Sequence, residues 1–216
     1  MGSHVLLQDG TLYVDFVDNR PPLLYGFYAL GQLLFGPGMV AVRLMVAALV
    51  LPLTAWAASA FFRHDRRGLV AGLLYLVCGA AFLAHDMHSV SAEVLMLLPL
   101  AGAVALLPGE VEARRPARVL TAGLLVGVAA LVGQHAILWF PPLALAVWMA
   151  HSGNRGGRRS AGVLTLLAGL LVPLVGALAV FLAQGAGPPF VFWTFTHNVG
   201  YAASPIAPVE ALERAS

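Results

Sequence analysis

The residues best suited to chemistry lie in one short polar segment, from Tyr13 to Tyr25. In it Asp15 and Asp18 stand three residues apart, Arg20 follows, and two prolines come next. One carboxylate could act as a general base towards an acceptor hydroxyl, while the other orients that hydroxyl or holds a cation. The Arg20 guanidinium could bind a phosphate through two parallel hydrogen bonds. The alternative is an exposed loop in which Asp18 and Arg20 form a local ion pair.

Polar side chains interrupt the apolar sequence at three later places. His85, Asp86 and His88 have a spacing that metal ligands use, but a polar loop between helices needs no metal. We therefore predict that they line a cavity, and we assign no metal ligands. Glu93 begins an apolar run, either as a carboxylate stabilised by the helix dipole or as a functional group near membrane depth. His135 could bind phosphate or shuttle a proton, or it could cap a helix end.

The sequence has none of the common cofactor motifs. It lacks a phosphate loop, a G-x-G-x-x-G, an H-E-x-x-H and a cysteine cluster, so we predict no cofactor, with a divalent metal ion left open, and no nucleic-acid partner. Near the end, Trp193, Phe195, His197 and Tyr201 form an aromatic group. This group is either a wall on which a sugar stacks or an aromatic belt at the membrane interface.

The composition indicates a polytopic membrane protein. Hydrophobic residues make up 60% of the chain, charged residues 10%, and the mean hydropathy is +0.85. A soluble domain has about 25% charged residues, so this composition excludes an ordinary soluble enzyme. The lipid bilayer is therefore the first predicted partner.

The apolar runs predict an all-α transmembrane helical bundle with six spans and one interfacial helix. The interfacial run at 22–36 holds a 14-residue helix that would rise about 21 Å, less than the roughly 30 Å hydrocarbon core. Its tyrosines suit the headgroup level, although a short spanning helix is the alternative. The predicted spans are 39–62, 68–84, 92–107, 119–133, 136–150 and 161–183, with outer segments at 1–21 and 184–216.

The arginines predict the orientation of the bundle. Three alternate loops hold most of them, and the positive-inside rule makes those loops cytoplasmic. The carboxylates of Asp15, Asp18 and Glu93 then share the outer face with His135, which predicts an outward-facing active cavity. The loop arginines are Arg63, Arg66 and Arg67, then Arg114, Arg115 and Arg118, then Arg155, Arg158 and Arg159.

The same rule predicts a turn at membrane depth within 119–150. Both flanking loops are cytoplasmic, so this segment must cross outwards and return, turning near 133–135. Each arm has about 15 residues and rises about 22 Å, which is less than the hydrocarbon thickness. Non-helical backbone at that depth must be buried in protein or line a wet cavity.

The Tyr13-to-Tyr25 segment resembles the GT-C glycosyltransferases that use polyprenyl-phosphate sugars. It is most similar to the family 39, protein O-mannosyltransferase-like group, which includes the aminoarabinose transferase and the rhizobial lipopolysaccharide transferases. Later blocks at 34–44, 91–93 and 123–141 are similar to further motifs of that group. Its segment Y-x-D-x-x-D-x-[KR]-P-P-L-x-Y is matched by Tyr13, Asp15, Asp18, Arg20, Pro21, Pro22, Leu23 and Tyr25.

The resemblance implies a partial GT-C module in the cytoplasmic membrane. The implied reaction transfers a hexosyl or pentosyl group from a polyprenyl-phosphate donor to a lipid, glycan or protein acceptor on the outer face. Asp15, Asp18 and Glu93 are then the candidate catalytic carboxylates. Gly133 stands where the family has a lysine that meets the lipid phosphate, so Gln134 or His135 would substitute. The candidate substrate and phosphate contacts are Arg20, Tyr25, Arg43, Gln134 and His135.

The resemblance also implies that the chain is a fragment. Family members are longer, and an earlier span and an Asp-Glu loop carry their catalytic acid upstream of the part matched here. Two other functions stay open. One is a catalytically inactive membrane subunit. The other is a transporter, which should show paired inverted halves, and the sequence has no convincing internal repeat.

Overall fold

The computed structural model describes residues 2–8, 10–61, 66–68, 70, 72–74, 90–107, 115–151 and 156–198. These residues are helical apart from short connections and one isolated β-bridge between Leu12 and Phe16. The predicted all-α fold is therefore confirmed. The helices are α1 (Gly2–Leu7), α2 (Pro22–Phe35), α3 (Met39–Met45), a first π-helical turn (Val46–Val50), α4 (Leu51–Phe61), α5 (Ala92–Ala105), α6 (Pro116–Ala130), a 3-10 helix (Gln134–Trp139), α7 (Phe140–Ala150), α8 (Gly156–Ala183), α9 (Gly187–Val191) and a second π-helical turn (Phe192–Thr196).

Among the described residues, two stretches are long and apolar enough to cross a membrane, Met39–Ala60 and Gly157–Ala183. The second has 27 residues and rises about 40 Å, more than the roughly 30 Å hydrocarbon core. Helices α2, α5 and α6 are apolar but have only 14, 14 and 15 residues. The membrane bundle is confirmed, while the count of six spans and the interfacial position of α2 stay predictions. The span expected at 68–84 lies largely outside the described residues.

Proline and glycine mark several helix ends. Pro22 and Pro116 occupy the first turns of α2 and α6, where a helix has no partner for the missing N–H. After α2, Gly36 and Gly38 adopt φ values of +94° and +98°. Only glycine takes such angles without steric cost, so this pair reverses the chain into α3.

Helices α6 and α8 pack backbone against backbone and run in the same direction. A Cβ added to Gly123 would overlap the Leu166 carbonyl oxygen, and one added to Gly127 would overlap the Leu170 carbonyl oxygen. The paired positions advance together along both helices, which fixes the parallel arrangement. Gly169 is closed in the same way by the backbone of α6.

Helix α5 lies beside α6 and runs in the opposite direction. Gly102 faces Leu125 near one end of this pair, and Met96 faces Gly133 near the other. The start of α5 and the ends of α6 and α8 therefore lie together, and we call this the site end. The end of α5 and the starts of α6 and α8 form the opposite end, which we call the arginine end. The main core between them includes Leu95, Leu100, Val119, Val126 and Leu166.

Candidate functional site

Asp15 stabilises the fold of its own loop. Its Oδ2 accepts the N–H of Thr11 at 2.7 Å, and its own N–H donates to the Thr11 carbonyl at 3.0 Å. This reciprocal pairing is typical of a side chain that closes a turn. The side chain is exposed. The structure thus places Asp15 at the rim of the site, with part of its carboxylate already used.

Tyr13 is the buried centre of the same loop. Its hydroxyl donates to the Arg20 carbonyl at 2.8 Å, and its ring lies 5.2 Å from Phe181 and 5.6 Å from Phe190 between centroids. Burial raises the pKa of the Tyr13 phenol, so the group stays a neutral donor. Its φ of +70° is uncommon for a residue with a Cβ, and the surrounding aromatic packing holds it there. Tyr13 therefore fixes the backbone that presents Arg20.

Asp18 is the half-buried carboxylate of the site. Its Oδ1 accepts the Asn19 N–H at 2.7 Å, and its Oδ2 accepts the hydroxyl of Tyr25. Burial raises the pKa of the Tyr25 phenol, and the hydrogen bond to Asp18 raises it further, so Tyr25 acts as a donor. Each Asp18 oxygen keeps a second lone pair. The carboxylate is thus oriented and can still accept a proton.

Asn198 joins the last described helix to this loop. Asn19 Nδ2 donates to Asn198 Oδ1 at 3.2 Å, and Asn198 Nδ2 donates to the Asn19 carbonyl at 2.8 Å and to the Thr194 carbonyl at 3.0 Å. This pair was not predicted from the sequence. The two asparagines are 179 residues apart and belong to no motif, so no sequence signal could have found them.

The aromatic group near the end of the chain packs beside Asn198. Trp193 and His197 have ring centroids 5.1 Å apart, and Phe195 contacts Phe190 at 6.0 Å. Tyr201 lies outside the described residues. The structure therefore places three of the four predicted aromatics next to the loop, and their role as sugar wall or belt stays a prediction.

Glu93 and His135 meet at the site end from different helices. The Tyr28 hydroxyl donates to the Val90 carbonyl at 2.7 Å and so ties α2 to the start of α5. Glu93 Oε1 lies 4.0 Å from His135 Nε2, and both side chains are about half exposed, 58% and 46%. The Arg20 guanidinium acts electrostatically on both Glu93 and Tyr28. One cation, one imidazole and one carboxylate therefore share this region with Asp18.

The turn between α6 and α7 holds the His135 ring in place. The Leu131 carbonyl accepts the N–H of Leu23 at 2.9 Å, so the start of α2 satisfies backbone that α6 leaves open. A Cβ on Gly133 would come 3.1 Å from His135 Cε1 and 3.3 Å from Met96 Sδ. Glycine at position 133 thus leaves room for the imidazole to pack on the turn. The turn is buried at Leu131 and Gly133 and open at His135.

Of the other predicted site residues, two have positions on described helices and three lie outside the described residues. Gln134 is half-buried at the start of the 3-10 helix, and Arg43 is exposed on α3. His85, Asp86 and His88 lie outside the described residues. In the part of the chain that the structure describes, no group of three or more His, Cys, Asp and Glu side chains could hold a metal ion.

The two ends of the bundle differ in the charged residues that they hold. The carboxylates among the described residues, Asp15, Asp18 and Glu93, all lie at the site end. Helix α6 alone separates this end from the other by about 22 Å. The arginine end holds Arg115, Arg118, Arg158 and Arg159.

Comparison with known proteins gives one match. The profile of a family described as dolichyl-phosphate-mannose-protein mannosyltransferase matches residues 19–184. That range includes Arg20, Glu93 and His135, begins just after Asp18 and ends before Asn198. No curated protein and no solved structure matches the chain.

Proposed function

Because the chain belongs to the dolichyl-phosphate-mannose-protein mannosyltransferase family, we propose that it transfers a sugar to a cell-envelope acceptor on the outer face of the cytoplasmic membrane. Family membership makes it a membrane glycosyltransferase with a polyprenyl-phosphate sugar donor. The acceptor is a lipid, glycan or protein hydroxyl. The observation that supports this most is the grouping of Asp18, Arg20, Glu93 and His135 at one end of the bundle.

In the proposed reaction the acceptor oxygen bonds to the anomeric carbon while the bond from that carbon to the phosphate oxygen breaks. Asp18 removes the hydroxyl proton, and the electron pair of the broken bond goes to the lipid phosphate. Arg20 binds that phosphate and stabilises the charge that develops on it. His135 adds a second polar contact, and Glu93 orients the imidazole across the 4.0 Å gap.

We assign the general base to Asp18 instead of Asp15. Asp15 Oδ2 is bonded to the Thr11 N–H in an exposed loop, and its removal would alter the fold of that loop. Asp18 is half-buried, and Tyr25 orients its carboxylate. It stands two residues before Arg20, the residue proposed to bind the donor phosphate. A base needs to be fixed within hydrogen-bond reach of the hydroxyl that it deprotonates.

The test compares Asp18→Asn with Asp15→Asn in proteoliposomes. A set of radiolabelled polyprenyl-phosphate sugars that includes dolichyl-phosphate mannose first identifies the donor, and sugar transfer to extracted envelope acceptors is then measured. Asparagine keeps the shape of each side chain and an acceptor for Tyr25, but it cannot take the proton. We expect Asp18→Asn to lower the rate about 10²- to 10⁴-fold, and Asp15→Asn by much less.

The possible results separate the proposal from its alternatives. An Asp18→Asn protein with the wild-type rate would show that another residue is the base. A wild-type protein that binds a polyprenyl-phosphate sugar but never transfers it would support the inactive-subunit alternative.

A further inference from the structure

A cavity lies at the arginine end, away from the proposed catalytic group. Its volume is about 460 Å³, within the roughly 300–1,000 Å³ range of small-molecule pockets. It opens between the starts of α6 and α8 and the end of α7. The lining residues are Pro116, Val119, His151, Arg158, Ala161, Gly162 and Thr165.

His151 gives the cavity a fixed polar wall. The residue is only 7% exposed, and its Nδ1 lies 2.8 Å from the Val147 carbonyl oxygen. A carbonyl cannot donate, so Nδ1 carries the proton, and Nε2 of the neutral ring is left as an acceptor to which a hydroxyl group can donate. A Cβ on Gly162 would come 3.2 Å from His151 Cε1, which shows how closely α8 packs on this ring.

Arg158 gives the cavity its charge. It lines the cavity while exposed to solvent, so its guanidinium can reach an anion inside or at the mouth. The neighbouring Arg159 is already used, because it lies over the Trp148 ring at 5.8 Å and donates to the His151 carbonyl at 3.3 Å. Arg115 and Arg118 flank the lining residues of α6. Among the described residues, every carboxylate lies at the opposite end of the bundle.

We propose that this cavity binds a phosphate-bearing anion, with Arg158 as the donor to its phosphate oxygens and His151 Nε2 as the acceptor of a hydroxyl group of the same molecule. Basic pockets between membrane helices recognise anionic headgroups, and arginine pairs with phosphate through two parallel hydrogen bonds. The phosphate can belong to a phospholipid headgroup or to a small soluble compound. Along α8 the lining residues from Arg158 to Thr165 lie about 24–35 Å from Phe181 at the site end, so the cavity is a separate site from the donor phosphate site proposed above.

The experiment uses purified protein in a neutral detergent. Native mass spectrometry measures binding of short-chain phosphatidylglycerol against phosphatidylcholine with the same acyl chains, and calorimetry measures inorganic phosphate against chloride. We expect phosphatidylglycerol, inorganic phosphate or both to bind, and phosphatidylcholine and chloride to bind weakly. Arg158→Gln should weaken this binding about tenfold or more, because a charged hydrogen bond is lost. Arg67→Gln removes one positive charge from an exposed position outside the lining and should leave binding unchanged.

A second pair of variants keeps the net charge of the protein and changes only the volume of one side chain. Ala161→Leu places a larger side chain in the cavity, whereas Ala168→Leu makes the same change two turns further along α8 and outside the lining. We expect the first to reduce binding and the second to leave it unchanged. Phosphatidylglycerol binding alone would identify a lipid site, and inorganic phosphate binding as well would identify recognition of the phosphate itself. Failure of both anions to bind, or binding that survives Arg158→Gln and Ala161→Leu, would overturn the proposal.

Discussion

Hydrogen-bond partners decide what each carboxylate of the Tyr13-to-Tyr25 segment can do. Asp15 faces a backbone N–H in its own turn, whereas Asp18 faces a phenol from α2 and lies near Arg20. The two residues have the same chemistry and belong to one motif, so the sequence could name both but could not rank them. The difference arises because α2 folds back and brings Tyr25 onto one of them.

The Tyr25 hydroxyl should contribute more to stability than the Tyr28 hydroxyl. Tyr25 donates to a carboxylate, and Tyr28 donates to the neutral Val90 carbonyl. Hydrogen bonds to charged groups contribute about 1.5–3 kcal/mol, and neutral ones about 0.5–1.5 kcal/mol. We therefore expect Tyr25→Phe to lower the free energy of unfolding by about twice as much as Tyr28→Phe, measured by denaturant unfolding in detergent. Equal losses would mean that the hydrogen bond to the Asp18 carboxylate contributes no more than one to a neutral carbonyl.

At the level of helices, local sequence signals indicated where helices begin, whereas a long-range contact shapes the turn between α6 and α7. The apolar runs predicted helices from 22 and from 119, and in the structure α2 begins at Pro22 and α6 at Pro116. The second arm of 119–150 was expected as one helix from 136, but the structure has a 3-10 helix there and α7 starts only at Phe140. That turn depends on the bond between Leu131 and Leu23, more than a hundred residues apart, which no local pattern encodes.

The glycine contact between α6 and α8 should be intolerant of a single methyl group. At Gly169 a Cβ would overlap the Leu120 carbonyl oxygen, whereas at Gly176, seven residues later on the same helix, it would meet nothing within 4 Å. Overpacking costs about 1–3 kcal/mol, and alanine in an open helix position gains up to about 1 kcal/mol over glycine. We expect Gly169→Ala to lower the unfolding temperature in detergent and Gly176→Ala to keep or raise it. A stable Gly169→Ala protein would show that the two backbones are further apart.

Over the whole molecule, the directions of the helices account for the separation of charge between the two ends of the bundle. The parallel course of α6 and α8 places four arginines at one end, and the antiparallel course of α5 places Glu93 at the other with Asp18. The positions of the arginines along the chain predicted this separation through the positive-inside rule. The Asn19–Asn198 pair that closes the site end was beyond the sequence, because two side chains that meet across 179 residues leave no local trace.

The separation of charge predicts that the two ends face opposite sides of the membrane. Helix α8 has 28 residues and rises about 42 Å, enough to carry one end across the roughly 30 Å hydrocarbon core. In a background with Cys78→Ala, which removes the only cysteine, Val17→Cys reports on the site end and Gly157→Cys on the arginine end. Both positions are exposed, so an impermeant maleimide can reach each one from its own side. We expect intact cells to label only Val17→Cys, and permeabilised cells to label both. Labelling of both in intact cells would place arginines and carboxylates on one side and remove the outward-facing site.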